Sequence, residues 1–219
     1  MSSCIMNALS VGIVLLGGPA RAAVITSSLN ETQVSGFSSA PFGTVTVTDL
    51  TGGGVSVDVS LQSGFSFVST GSKSSFALNL DTAISSNQIQ NISPAGKYTV
   101  NLIAQPATPY GNFNVALDVA GGNGGAHAVP PPLDFTILGV TTLDFNYSSL
   151  GYAFAADVIF GGTTGSVGAK NFVRSGSVPI SQVASVPEPG SVELFAASLA
   201  LTGLFLRKNS SPHRNMGVG

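Results

Sequence analysis

Few side chains in this sequence are equipped for chemistry. Nucleophilic catalysis needs a base beside the nucleophile. Between residues 23 and 185 the only histidine is His127, in the loop Gly121-Gly122-Asn123-Gly124-Gly125-Ala126-His127, and it reads as a solvated loop side chain. The other histidine, His213, follows the last apolar stretch. The single cysteine, Cys4, precedes the apolar N-terminal run, whereas a lipidated cysteine follows it. Removal of that segment leaves no thiol for a disulfide or a metal. One histidine without cysteines is a poor basis for a transition-metal site, so no metal and no cofactor is expected.

Carboxylates are the next candidates, because glycoside hydrolysis uses a pair of them. The acids available are Glu31, Asp49, Asp58, Asp81, Asp118, Asp134, Asp144 and Asp157. Most fall at strand ends or at polar positions of strands. Calcium takes oxygen ligands, but the spaced Asp-x-Asp-x-Asp loop is missing. The run Gly121–Gly125 lacks the Lys-Ser/Thr and the helix of a phosphate loop. Tyr110, Phe113, Tyr147 and Tyr152 are candidates for a sugar-stacking platform, against which stand the usual burial of strand aromatics and the lack of tryptophan. The expectation is therefore a protein that is not an enzyme. A carbohydrate-binding surface module is the alternative, and a secreted glycoside hydrolase is a remote one.

Charge narrows the field further. Only 8% of the 219 residues are charged, against ~25% in ordinary soluble chains. The formal net charge is −2, so no basic field exists to attract nucleic acid. Hydrophobic residues at 43% argue against a charge-rich disordered chain.

The elements that must position these residues have period two. Val45 and Val47 alternate with Thr44, Thr46 and Thr48. Val55, Val57, Val59 and Leu61 alternate with Ser56, Asp58 and Ser60. Thr51-Gly52-Gly53-Gly54 between them supplies the reversal of a β-hairpin. Phe76, Leu78 and Leu80 repeat the alternation, as do Phe113, Val115, Leu117 and Val119. Further strands are expected in 98–103, 133–138, 141–147 and 152–160. No helical period occurs between Ala23 and Ser185. Eight or nine short strands separated by Gly, Pro, Ser and Asn turns predict an all-β fold, an antiparallel β-sandwich or jelly-roll-like domain over residues 23–185. An uncharged outer face leaves its edge strands open to pairing with other chains.

Both ends read as addresses. The run Ile5 to Gly18 is apolar, and Ala20 and Ala22 occupy the −3 and −1 places of an Ala-x-Ala cleavage site. Residues 1–22 are thus expected to be a Sec-type signal peptide, with the Sec translocon as partner. At the other end, Val186-Pro187-Glu188-Pro189 is followed by an apolar run over 191–206 and then by Arg207 and Lys208. Proline is tolerated at a helix start but not inside, so a helix is expected to begin near Ser191. Sixteen residues at ~1.5 Å each span ~24 Å, somewhat less than a ~30 Å hydrocarbon core. Arg207 and Lys208 form a basic stop that can snorkel and remain cytoplasmic. A polar tail, 209–219, completes the chain.

This ordered set over 186–208 resembles the PEP-CTERM sorting signal. Two interior stretches, Leu61 to Gly71 with Phe76 to Asp81, and Phe154-Ala155-Ala156-Asp157 with Gly161 to Gly165, are loosely similar to sandwich proteins carrying that signal. The resemblance implies a membrane protease-transpeptidase, the exosortase, that recognises Pro187, Glu188 and Pro189. It further implies export by a Gram-negative cell, a transient inner-membrane anchor, and final residence at the surface or outside, in association with extracellular polysaccharide or biofilm matrix.

Overall fold

A computed structural model describes residues 22–37, 40–71 and 73–176. Among them the chain is all-β, with three single 3-10 turns and no α-helix. The first sheet has the order β16 (Val173–Ser175), β1 (Val24–Leu29), β3 (Gly43–Asp49), β4 (Val55–Leu61), β12 (Leu133–Ile137), β7 (Ile89–Ser93). The second runs β2 (Glu31–Thr32), β15 (Thr163–Ala169), β14 (Phe154–Phe160), β6 (Phe76–Leu80), β11 (Val115–Val119), β8 (Tyr98–Asn101). The short strands β5 (Phe65–Phe67) and β13 (Phe145–Asn146) pair with β14 and β6, and β9 (Gln105–Pro106) with β10 (Asn112–Phe113) makes a separate ribbon. Every pairing is antiparallel.

Alternation builds the core. Val45 and Val47 of β3, Val55, Val57 and Val59 of β4, and Leu133, Phe135 and Ile137 of β12 are buried on one face of the first sheet. They share one cluster with Phe76, Leu78, Val115, Leu117, Phe154, Ala156 and Val158 of the second sheet. Phe135 and Phe76 meet edge to face with ring centroids 6.2 Å apart, so side chains from the two sheets interlock. The arrangement is β-sandwich-like.

The β3–β4 hairpin pairs from Gly43↔Leu61 to Asp49↔Val55. Its turn uses Gly52, Gly53 and Gly54, all at positive φ. At Gly54 a Cβ would also lie 2.7 Å from the Ile137 carbonyl oxygen, so glycine is required twice over. The strand expected over 141–147 is mostly a 3-10 turn, Thr142–Asp144, ahead of the two residues of β13. Short polar side chains claim the backbone there. The Asp144 carboxylate accepts from Thr141 N–H at 2.7 Å, and Asp49 accepts from Thr142 N–H at 2.7 Å.

The two sheets are joined at one side by shared strands. At Asn30 the chain leaves β1 in the first sheet and enters β2 in the second, while Lys170 to Phe172 carry it back from β15 to β16. At the opposite side β7 and β8 are the edge strands, linked by the turn that includes Pro94 and Lys97.

Candidate functional site

Of the residues singled out for sorting, Ala20, Val186, Pro187, Glu188, Pro189, Arg207 and Lys208 lie outside the described residues, as does the apolar run 191–206. Ala22 is exposed, two residues ahead of the start of β1. Among the described residues no helix is long and apolar enough to cross a membrane, and no group of three His, Cys, Asp or Glu is placed to hold a metal ion. His127 is exposed, with its ring against Gly121 and Gly122.

The aromatic residues do not form one exposed strip. Tyr110 and Phe113 are buried in a second cluster with Ala77, Ala107, Ala116 and Ala155, on the outer face of the second sheet. Tyr110 lies across Gly168, where a Cβ would fall 2.8 Å from its ring. Its hydroxyl donates between the carbonyls of Glu31, at 2.8 Å, and Ser166, at 3.1 Å. Tyr152 is half-buried against Tyr110, with centroids 4.7 Å apart. Tyr147 stacks on Phe172 at 4.9 Å.

The acids divide by role. Asp49 and Asp144 cap the turn described above. Burial pushes the Asp144 carboxyl up, but hydrogen bonds from the Thr82 hydroxyl and from Thr141 outweigh it and hold it below the usual range. Asp58 and Asp134 stand directly opposite each other on β4 and β12. Burial, then the hydrogen bond and charge of Asp58, push Asp134 up to about 6. A side-chain hydrogen bond joins the two carboxyls, which sets them closer than the ~5–5.5 Å of a retaining glycosidase pair.

Asp157 is 1% exposed, on the outer face of β14. It sits where β5 and β6 part along one edge of that strand. Val68 N–H donates to its carbonyl at 3.0 Å, and its own N–H donates to the Ser75 carbonyl at 3.2 Å. The Thr70 hydroxyl donates to its carboxylate. Burial pushes Asp157 up to about 6 against the opposing pull of Thr70, Lys73 and Ser166. Beside it, Ser69 and Ser75 hydroxyls lie 2.8 Å apart, and Val119 N–H donates to Ser75 at 2.8 Å. This network replaces the ladder bonds that the break between β5 and β6 removes.

A groove of about 490 Å³ opens at the side where both strand pairs change sheets. Asn30, Glu31, Lys170 and Asn171 line it, with Thr26 and Ser28. The Lys170 ammonium lies 5.8 Å from the centroid of the Tyr152 ring.

No family model, no curated protein and no solved structure matches this chain.

Sequence reading missed this groove. Asn30, Lys170 and Asn171 are unremarkable loop residues until the register is known. The one available signal was Asn30-Glu31, a polar interruption directly after the run Val24 to Leu29.

Proposed function

We propose that this chain is an exported surface protein, sorted by an exosortase at Val186-Pro187-Glu188-Pro189, whose β-sandwich or jelly-roll-like domain becomes a structural part of the envelope or polysaccharide matrix. One observation carries the reading. An apolar N-terminal run ending in Ala20-Arg21-Ala22, a β domain, Pro-Glu-Pro, an apolar run over 191–206 and the basic pair Arg207 and Lys208 follow one another in that order. In this reading the run 191–206 is a single transmembrane helix with its N-terminus outside.

Two features of the domain support a structural role. Five of the acids a hydrolase would draw upon are already engaged: Asp49 and Asp144 cap a turn, Asp58 and Asp134 are bonded to each other, and Asp157 is buried. The outer face of the first sheet is carpeted by hydroxyls, since Thr44, Thr46, Thr48, Ser56 and Ser60 alternate with buried valines. Its acids are the facing pair Asp58 and Asp134.

The test is deletion of the exosortase locus, with mass spectrometry of the mature C-terminus. Wild-type cells are expected to yield a chain lacking Leu194 to Leu206, and deletion cells one that retains it. A mature wild-type chain still carrying that segment counts against the reading.

A further inference from the structure

The groove at the sheet-changing side has a structural cause. Strands β1–β2 and β15–β16 form one antiparallel ribbon held in a single register, with Thr26 opposite Val173 at one end and Glu31 opposite Gly168 at the other. Between these pairs the register continues, yet residues 27–30 and 169–172 make no ladder pairs with each other. The ribbon parts there because it must bend from one sheet to the other. The buried Ser27 hydroxyl bridges the gap by donating to the Asn171 carbonyl. The opening between the strands is the groove.

We propose that this groove binds a short segment of a neutral polysaccharide. Its volume of about 490 Å³ falls within the ~300–1,000 Å³ of small-ligand sites. Its lining selects the ligand class. An apolar ligand would strip water from the Asn30 and Asn171 amides and the Glu31 carboxylate and return no hydrogen bond, which costs binding energy. An anion would meet Glu31, and a cation would meet Lys170. A polyhydroxylated neutral ligand satisfies all of them, because each sugar hydroxyl both donates and accepts. Glu31 accepts, Lys170 donates, and the two amides with the Thr26 and Ser28 hydroxyls do both. Tyr152, under Lys170, supplies an aromatic flank on the same outer surface. The proposal rests on the surface reading only for the source of the sugar.

The test uses the full chain, purified in a non-glycosidic detergent and titrated with maltohexaose, cellohexaose, mannohexaose and an alginate hexamer. Saturable binding of at least one neutral hexamer is expected. A Glu31→Ala/Asn171→Ala double variant should weaken it by about tenfold or more. Both side chains are exposed, so the variant should unfold at the wild-type temperature. Thr26→Arg, which fills the groove without removing Glu31 or Asn171, should weaken binding as well. No saturable binding of any neutral hexamer up to about 10 mM overturns the proposal, being weaker than any useful contact at a surface. Undiminished binding in both variants overturns the site. Tighter binding of alginate that Lys170→Ala alone abolishes overturns the neutral class. Sorting is read separately, from the mature C-terminus in wild-type cells. Hexamer binding by the full chain together with retention of Leu194 to Leu206 in those cells supports the groove while counting against exosortase processing.

Discussion

Asp134 and Asp157 make the stability of this domain depend on pH in a direction opposite to that of most acids. In the folded chain both hold their protons up to about pH 6, whereas an unfolded aspartate releases its proton near 3.8. Between these values the folded state binds more protons than the unfolded one. Stability therefore falls as pH rises from about 4 to about 6, and is level above that. Asp144, held below the usual range, acts in the other direction but only at lower pH, where its carboxylate is finally protonated. Denaturation midpoints at pH 4.5, 6 and 7.5 check the sign. The two raised groups are separable by variant. Asp134→Asn removes a like charge directly opposite Asp58 and should stabilise the chain by about 0.2–1 kcal/mol at pH 7.5, with little gain at pH 4.5. An equal gain at both values would mean that the pair does not titrate as described. Asp157→Ala instead orphans the Thr70 hydroxyl and opens the break between β5 and β6, at a cost of about 1–3 kcal/mol.

At the scale of elements, one contact fixes how the β9–β10 ribbon lies on the second sheet. Tyr110 crosses Gly168 and its hydroxyl reaches the backbones of both β2 and β15. Gly168→Val places branched carbon where the Tyr110 ring now sits, so the ribbon must lift and expose Ala77, Ala116 and Ala155. A loss of about 2 kcal/mol or more is expected from overpacking and lost burial together. Tyr110→Phe retains the ring and should lose only about 0.5–1.5 kcal/mol, the worth of one hydrogen bond. Near-equal losses in urea denaturation would show that the hydroxyl, not the ring, holds the ribbon. The same contact explains which strands were legible in sequence. The runs around β3, β4, β6 and β11 alternate plainly because one face of each is filled by large apolar side chains. β15 does not alternate, because neighbours occupy the space its side chains would take. Tyr110 fills the position over Gly168, and Val34 the position over Gly165, where a Cβ would fall 2.1 Å from the valine Cγ2. In β1 the alternation is masked differently: Ser27 holds an inward place, satisfied by the Asn171 carbonyl. The Asp58–Asp134 pair and the sheet-changing groove are properties of register, which depends on partners distant in sequence, so composition and spacing alone did not reveal them.

For the whole molecule, if residues 1–22 are a signal peptide as proposed, the start of the domain bears on where it should be cut. Ala22 is exposed, whereas Ala23 is 4% exposed and its carbonyl accepts from Asp49 N–H at 2.9 Å, adding one bond beyond the β1–β3 ladder. Cleavage after Ala22 would place the new amino terminus one residue before Val24, the first residue of β1, and leave that bond intact. Cleavage further along would remove it, then begin to strip Val24 and Ile25 from between β3 and β16, where Val24 pairs with both Thr48 and Ser175. Ile25 is fully buried, so its loss would cost about 2–5 kcal/mol in addition to the ladder bonds. On the proposed reading the mature chain is therefore expected to begin at Ala23, as read by N-terminal sequencing. Replacing Ala22 by a bulky residue should block cleavage and leave the precursor in the membrane fraction, because the −1 position requires a small side chain. The domain itself should remain folded in that precursor, since an exposed residue ahead of β1 makes no core contact. Recovery of a folded chain that begins at Ile25 or beyond would show that β1 is dispensable and that the cleavage site is not set by the edge of the sandwich.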